Sequence, residues 1–596
     1  MRGIPADYDR VRVMGRWLLN FVAIGVVSGL GAVVFHLLCE GGTFVFMDML
    51  AGYHPPPPAG ESHMFQSTGN PFNRYILLIL PAVGGLISGW LVYTFAPEAE
   101  GHGTDGAIDA YHRKAGVIRG RVPIIKTLAS AVTLTSGGSG GREGPIAQIG
   151  AGFGSFLATR LNLSDRDRRI MLAAGMAAGV GSIFRAPLAG ALFAAEVLYR
   201  DPEIEGDVII PAGLASVVAY CIFCMAFGWG SLFHAPQLKF SNPLSLGPYT
   251  ILALVLAAVG WLYVTTFHRI TEFFRNLRIP RHVRPALGGL AVGVIGFWLP
   301  QTLGFGYGFV QMALDGDASV WLLATLCLGK ILTTSLTIGS GGSGGVFGPS
   351  VVIGGAAGAL VGIFFHHFMP TVVPEPAAFV LVGMAGFFTG VSNTPISTII
   401  FISEMSSSYE LLLPSLLVCS LTYLLSKRWT IYTSQVAGPV DSPAHAGALF
   451  VDVLQKLKVQ DLKDRLTLPC LIPQTMTMAR FKEYFCTSKE HYFPVVDANE
   501  RMVGIFSVND VREFLFEPGL DSLVVMAELG TKDVISTTLD EDLNTVLSKV
   551  TVKNIDSIPV VRKDDPAVVL GMLSRRTIID FYNKRLAMLR QRREQG

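Results

Sequence analysis

Charge is scarce in this chain. Asp, Glu, Lys and Arg make up 15% of its 596 residues, against roughly 25% in an average soluble domain. Half of the residues are hydrophobic, which is hard to reconcile with a surface turned wholly toward water. An excess of one sign is missing too: the net charge is +2, so nothing in the overall balance suits the chain to nucleic acid. Cysteine is sparse, seven in all, odd in number and scattered, which excludes a disulfide-stapled scaffold. Cys221 and Cys224 form a CxxC inside the apolar run VVAYCIFCMAFGW, where packing is the better reading than a metal or redox site. No cleavable signal peptide is expected, because the start, MRGIPADYDRVRVMGR, is polar.

The charge that exists is unevenly placed. From about Trp17 to about Leu425 apolar runs follow one another with short polar breaks. After about Val440 charged residues return at soluble density. A helix needs roughly 20 apolar residues to span a bilayer, and 17–38, 75–96, 207–229, 249–267, 285–303, 318–337 and 376–402 qualify. The stretches 124–158 and 340–367 are apolar but broken by glycine. Arg2, Arg10, Arg12 and Arg16 precede the first run, which places the N-terminus in the cytoplasm by the positive-inside rule. The polar stretch 54–73 is then an extracellular loop.

The membrane part contains a duplication. SGGSGGREGP (136–145) matches SGGSGGVFGP (340–349), and GMAAGVGSIFRAPLAGALFAAE (175–196) matches GMAGFFTGVSNTPISTIIFISE (383–404). Interrupted segments at corresponding places in two halves point to a binding site at the repeat interface. Packing glycines alone would be spaced by four. A GSGG run followed by Pro instead marks a loop feeding a helix N-terminus. Such an end presents unsatisfied N–H groups and a positive dipole end, and several converging ends bind an anion.

These motifs carry a resemblance. GREGP (141–145) and GVFGP (345–349) resemble two of the three anion-pathway signatures of the ClC family of chloride channels and chloride/proton antiporters. The resemblance implies an α-helical polytopic membrane protein with an inverted internal repeat, a homodimer with one pore per subunit, and chloride or a similar monovalent anion as the transported species. It implies Glu143 as a gating glutamate. A carboxylate and a chloride compete for the same N–H donors, and an ionisable residue at membrane depth is a functional candidate by default. A salt bridge from Glu143 to Arg142 is the structural alternative. The anion-binding set is His102, Gly103, Thr104, Arg142, Gly144, Val346, Phe347, Gly348 and Tyr432. Val346 and Phe347 offer backbone amides. Tyr432, in WTIYTSQV, resembles the family tyrosine whose hydroxyl completes the central site, the alternative being an interfacial aromatic.

Two positions depart from the family. Its third signature, GSGIP, is here GHGTD (101–105). His102 replaces a serine, with Thr104 an alternative hydroxyl and His102 turned away from the anion the bland reading. The proton-relay position of family antiporters, aligned on APLAG, is Val197, one residue after Glu196. Valine carries no proton, which favours a passive channel over an antiporter, with gating by voltage or by pH left open; Glu203 and Glu205 are other places a proton path could start. Glu196 and Glu404 occupy matching places and are expected to tie helix ends to polar backbone.

The tail repeats as well. HYFPVVDANERMVGIFSVNDVREFL (491–515) and DSIPVVRKDDPAVVLGMLSRRTIIDFY (556–582) each read as strand, turn, strand, helix and resemble a cytoplasmic tandem pair of α/β CBS domains. The expected divisions are 1–16 as a cytoplasmic segment, 17–437 as the transmembrane domain, 438–451 as a linker and 452–596 as the CBS pair, its units at about 452–517 and 528–584. CBS pairs often bind adenine nucleotides. The first unit carries the pattern's Ser507 and Asp510, while the second has Thr577 in place of the Asp. Helix capping is the structural alternative for both. No P-loop accompanies them, so the chain is expected to be no enzyme, with no required cofactor and no metal. A cation transporter would need several carboxylates at membrane depth, and a non-transporting nucleotide sensor leaves the glycine repeats unexplained.

Overall fold

The computed structural model describes residues 6–595 apart from 62, 63, 237, 489, 515–518, 520 and 521. Arg2 and residues 515–517 of the first expected CBS unit lie outside the described residues. The chain divides into two compact units, Met1–Ala444 and His445–Gly596.

The first unit is helical. One half runs α1 (Ala6–Thr43), α2 (Arg74–Phe95), α3 (Thr104–Arg113), α4 (Arg121–Thr135), α5 (Glu143–Arg160), α6 (Asp165–Ile183), α7 (Pro187–Glu196) and α8 (Gly206–Phe227). The other runs α9 (Leu246–Asn276), α10 (Arg284–Trp298), α11 (Tyr307–Asp315), α12 (Val320–Gly339), α13 (Phe347–Phe368), α14 (Ala377–Ser392), α15 (Pro395–Ser406) and α16 (Leu412–Ser426). The sequence repeat therefore extends to matched sets of eight helices. Among the described residues, six helical stretches are long and apolar enough to cross a membrane: Met14–Leu50, Arg74–Phe95, Gly206–Phe227, Pro243–Asn276, Val320–Gly339 and Phe347–Phe368. Ile210, Leu254, Trp321 and Leu424 point outward, exposed, a surface suited to lipid.

The expected spans differ in three places. The polar start is already helical from Ala6. The run 285–303 shortens to α10, which ends at Trp298 ahead of Pro300. The run 376–402 is two helices. Asn393 takes the left-handed conformation at φ 59°, which its short polar side chain tolerates, and Pro395 then starts α15.

Glycine acts in two ways. At the α5–α6 crossing, a Cβ on Gly150 would strike the Gly175 carbonyl, and the reverse also holds. Gly354 and Gly383 repeat this at α13–α14. Close backbone approach requires Gly there. The loop glycines are a separate set, and Gly141 and Gly345 form a reciprocal antiparallel bridge, each N–H donating to the other's carbonyl at 2.8 Å. This bridge joins the two copies about their pseudo-two-fold axis.

The copies also cap each other. Glu196, at the end of α7, accepts from Ile396 N (2.9 Å), Ser397 N (2.8 Å) and Ser397 Oγ (2.6 Å) at the start of α15. Glu404 on α15 accepts from Leu188 N (3.3 Å) and Ala189 N (2.9 Å) at the start of α7. Each short helix thus has its orphan donors met by a carboxylate from its counterpart.

The second unit holds two three-stranded sheets of one design. β1 (Ile472–Pro473) pairs parallel with β2 (Tyr492–Val496), which pairs antiparallel with β3 (Met502–Ser507); β4 (Thr537–Thr538), β5 (Ser557–Val561) and β6 (Val569–Ser574) repeat the order. Its helices are α17 (Ala446–Lys456), α18 (Met478–Phe485), α19 (Val508–Val511), α20 (Met526–Leu529), α21 (Leu543–Val552) and α22 (Arg575–Gln595). The expected divisions at 452–517 and 528–584 do not follow the cores. Leu454, Leu457, Val459 and Leu462 pack with Val546, Val560 and Ile578 of the second repeat. Met526 packs with Phe481, Val495 and Phe506 of the first. Each motif therefore completes its apolar core with the segment preceding the other. Asp542 caps α21, accepting from Thr545 N at 2.9 Å and Thr545 Oγ1 at 2.7 Å.

Two predictions follow from these helix ends. Glu196→Ala strands a part-buried amide, a buried amide and a buried hydroxyl, so it lowers the stability of the detergent-solubilised protein by about 2–4 kcal/mol. Glu404→Ala, at a half-buried site, lowers it by less; chemical denaturation of both variants checks the order. Burial works against the Asp542 charge, but the Thr545 hydroxyl and amide outweigh it and hold the carboxyl below its ordinary range. Asp542→Ala costs about 1 kcal/mol, read as faster hydrogen exchange over 543–552. The stabilisation is present above the ordinary aspartate value of about 3.9 and fades as pH falls below it, so the difference between variant and parent closes in acid.

Candidate anion pathway

Four helix N-termini meet where the two copies join: α3 at Thr104, α5 at Glu143, α11 at Tyr307 and α13 at Phe347. The loops feeding them are in contact. A Cβ on Gly103 would strike the Gly144 carbonyl, and one on Gly348 would strike the Tyr307 hydroxyl and the Gly141 backbone. Gly103 (φ 82°) and Gly306 (φ 86°) turn the chain into α3 and α11 through backbone that side-chain-bearing residues avoid.

Glu143 is the first residue of α5 and is 2% exposed. Its carboxylate crosses to the other copy, accepting from Gly348 N at 3.2 Å and from the Tyr307 hydroxyl. The side chain therefore occupies one donor at the start of α13 and one at the start of α11. The first-turn amides of Val346, Phe347 and Gly348 have no partner within their own helix. Val346 is buried, and Phe347 packs against Phe388 and Phe184, ring centroids 4.1 Å and 4.5 Å away. Gly144 lies against the His102 carbonyl.

Arg142 does not pair with Glu143. Its guanidinium bonds to Glu61 at 2.7 Å and to His36 Nδ1 at 2.8 Å, and it lies over the Phe305 ring at 5.2 Å. Glu61 comes from the polar loop 54–73. That loop packs on the start of α11, where a Cβ on Gly308 would strike the Pro56 carbonyl. A cavity of about 70 Å³ remains between Arg142, Glu61 and the prolines 55–58. Arg142 thus stands beside this cavity with two of its nitrogens already engaged.

Tyr432 is 1% exposed, so it is no interfacial aromatic. Its hydroxyl has the Thr104 side chain as a hydrogen-bonding neighbour, and its ring lies 5.3 Å from that of His102. The His102 Nδ1 is buried and has no partner among the described residues. Asp105, the next acid on α3, accepts from Ser434 N at 2.7 Å and fixes the turn after Tyr432. His102, Thr104 and Tyr432 thus form one polar cluster at the start of α3.

Val197 is fully buried, and its carbonyl accepts from Gln435 Nε2 at 3.0 Å. Glu205 accepts from the Tyr199 hydroxyl at 2.6 Å. In the second unit, Ser507 and Asp510 form a reciprocal cap on α19: Ser507 N donates to Asp510 Oδ2 at 2.7 Å. Ser574 and Thr577 cap α22 in the same place, Thr577 N donating to Ser574 Oγ at 3.1 Å.

Three features escaped the sequence reading. Tyr307 meets Glu143, and Lys126 and Lys330 lie fully buried beside the pathway. Lys126 Nζ donates to Gly101 O (2.6 Å) and Ala99 O (3.0 Å). Lys330 Nζ donates to Gly304 O (2.6 Å) and Thr302 O (3.2 Å). Each amine pins the loop entering one short helix. The signal was available: GHGT (101–104) and GFGY (304–307) are a third pair of matching segments, with His102 opposite Phe305 and Thr104 opposite Tyr307.

Known proteins resemble this chain in sequence and in fold. The sequence pattern described as "Voltage gated chloride channel" matches residues 84–427, more than half of the chain, and that of the CBS domain matches 526–584. A putative chloride channel protein ClcB-like from Ralstonia nicotianae is 31% identical over 373 residues, covering 61% of this chain and 86% of that one. The H(+)/Cl(-) exchange transporter ClcA of Salmonella paratyphi A is 30% identical over 360 residues, covering 59% and 76%. The crystal structure of a eukaryotic CLC transporter superposes with a TM-score of 0.57 at 18% identity, covering 95% of this chain and 98% of that one. The chain belongs to the voltage-gated chloride channel (ClC) family of integral membrane anion transporters, and it carries a CBS pair in its C-terminal unit.

Proposed function

We propose that the protein conducts chloride or a similar monovalent anion passively, with Glu143 as its gate. One observation carries the reading: the Glu143 carboxylate sits on the Gly348 amide, at a helix N-terminus where an arriving anion would bind. Protonation or displacement of the carboxylate frees those donors. His102, Gly103, Thr104 and Tyr432 line the next station, and Val346 and Phe347 supply amides between the two. Arg142 attracts anions from the side of the Glu61 cavity. Val197 supports passive conduction, since the residue aligned with the family's inner proton relay is an aliphatic side chain packed away from solvent.

In this reading both termini are cytoplasmic, loop 54–73 is extracellular, and the working form is a homodimer. The CBS pair is a regulatory module whose Ser507 and Asp510 face an adenine nucleotide. A second reading, proton-coupled exchange, draws support from Glu205 and its Tyr199 partner, which offer a proton a place to start.

Reversal potential in planar bilayers tests the choice. It stays at the chloride equilibrium value under an added pH gradient if conduction is passive; a shift with the pH gradient establishes exchange and sinks the channel reading. Glu143→Gln is expected to conduct without pH dependence, and retained pH gating in that variant would remove Glu143 as the gate. Tyr307→Phe deletes one of the two hydrogen bonds that hold the Glu143 carboxylate in place. It is expected to loosen that hold and raise current severalfold at fixed pH, read in planar bilayers.

A further inference from the structure

The connection between α9 and α10, RNLRIPRHVR (275–284), carries four arginines. Three of them, Arg275, Arg281 and Arg284, line a single cavity of about 320 Å³. Its other walls are the end of α2, at Tyr93, and the end of α12, at Gly339 and Ser340. Among the described residues none of the three arginines forms an ion pair. Glu100 also lines the cavity, and its carboxylate is hydrogen-bonded to the Tyr93 hydroxyl. Arg284 is anchored by one contact, Nη2 to Leu277 O at 3.0 Å, and its buried Nε has no partner.

Three guanidinium groups facing one concavity repel one another, and a partly enclosed site screens them less than open water does. The fold gives them a single carboxylate, already bonded to a tyrosine. The arrangement calls for a polyvalent anion. The hydroxyls of Thr271 and Ser340 donate to Phe267 O and Thr337 O, so the free donors at this site are guanidinium N–H groups. Their planar forks match the oxygens of a phosphate group. A bare halide would leave most of the cavity and most of those donors unused. No residue of the Glu143–Tyr432 pathway lines the cavity.

We propose that this cavity binds a phosphate-bearing anion, either a phosphorylated lipid headgroup or free phosphate. The basic connection places it on the cytoplasmic face, where anionic headgroups are presented to juxtamembrane arginines. Its floor bears on the anion pathway. The Tyr93 hydroxyl and Glu100 rest against Gly341, in the glycine loop that leads into α13, so an occupant touches the groups that pack on that loop.

The test uses the full-length protein and reads binding, which does not depend on whether the protein conducts passively or exchanges protons. Affinity is measured for two probes at matched ionic strength: phosphatidylcholine vesicles containing phosphatidylinositol 4-phosphate, and inorganic phosphate. Binding of the vesicles alone identifies a headgroup site, and binding of inorganic phosphate identifies a free-phosphate site. Arg281→Gln and Arg275→Gln, both at exposed positions, are each expected to weaken binding roughly tenfold. Arg278→Gln, on the same connection but outside the cavity, leaves it unchanged. The proposal is overturned if neither probe binds more tightly than matched chloride, or if R278Q weakens binding as much as R281Q and R275Q do.

Discussion

A helix that begins inside an apolar layer exposes amide donors that no water can reach. The membrane unit is organised around that constraint and meets it in two ways. At α7 and α15 the donors are closed by Glu196 and Glu404, which sit near helix ends and reach across to the opposite copy. At α13 the donor of Gly348 is met by Glu143, which lies at the start of a helix, after a glycine loop. The same bond type serves both places, with the carboxylate near a helix end in one and at a helix start in the other. The difference lies in where the carboxylate is rooted.

Inversion makes this economical. A pseudo-two-fold axis turns every contact made by one copy into a contact made by the other, so a single solution serves twice. The Gly141–Gly345 bridge, the pairs Gly150–Gly175 and Gly354–Gly383, and the loops pinned by Lys126 and Lys330 all obey it. Function enters where the copies differ. His102 stands opposite Phe305, Thr104 opposite Tyr307, and Arg142–Glu143 opposite Val346–Phe347. One copy supplies the carboxylate, and the other supplies the phenol and the amide that receive it.

The C-terminal unit reuses the principle of exchange between repeats, here with apolar surface. Neither small sheet buries its face with its own flanks: Leu454–Leu462 complete the second core and Met526 the first. The CBS pair is therefore one folding object rather than two beads, and Arg501 and Asp565 join the motifs further at 2.9 Å.

Much of this was legible in the sequence. The duplication, the glycine loops, the apolar runs, the strand–strand–helix tail and the singularity of Glu143 are local patterns, and local patterns survive in one dimension. Spacing also announced that Glu196 and Glu404 occupy equivalent places. Tertiary structure alone decided who met whom. It took Arg142 from its chain neighbour and gave it to Glu61 across 81 positions, brought Tyr307 to Glu143 across 164, and broke the run 376–402 at Asn393. It also gathered three arginines of one short connection into a cavity while leaving Arg278 outside. The reason is physical. Periodicity and turn chemistry are fixed by neighbours along the chain, whereas the partner of a buried charge is whichever group packing brings within reach.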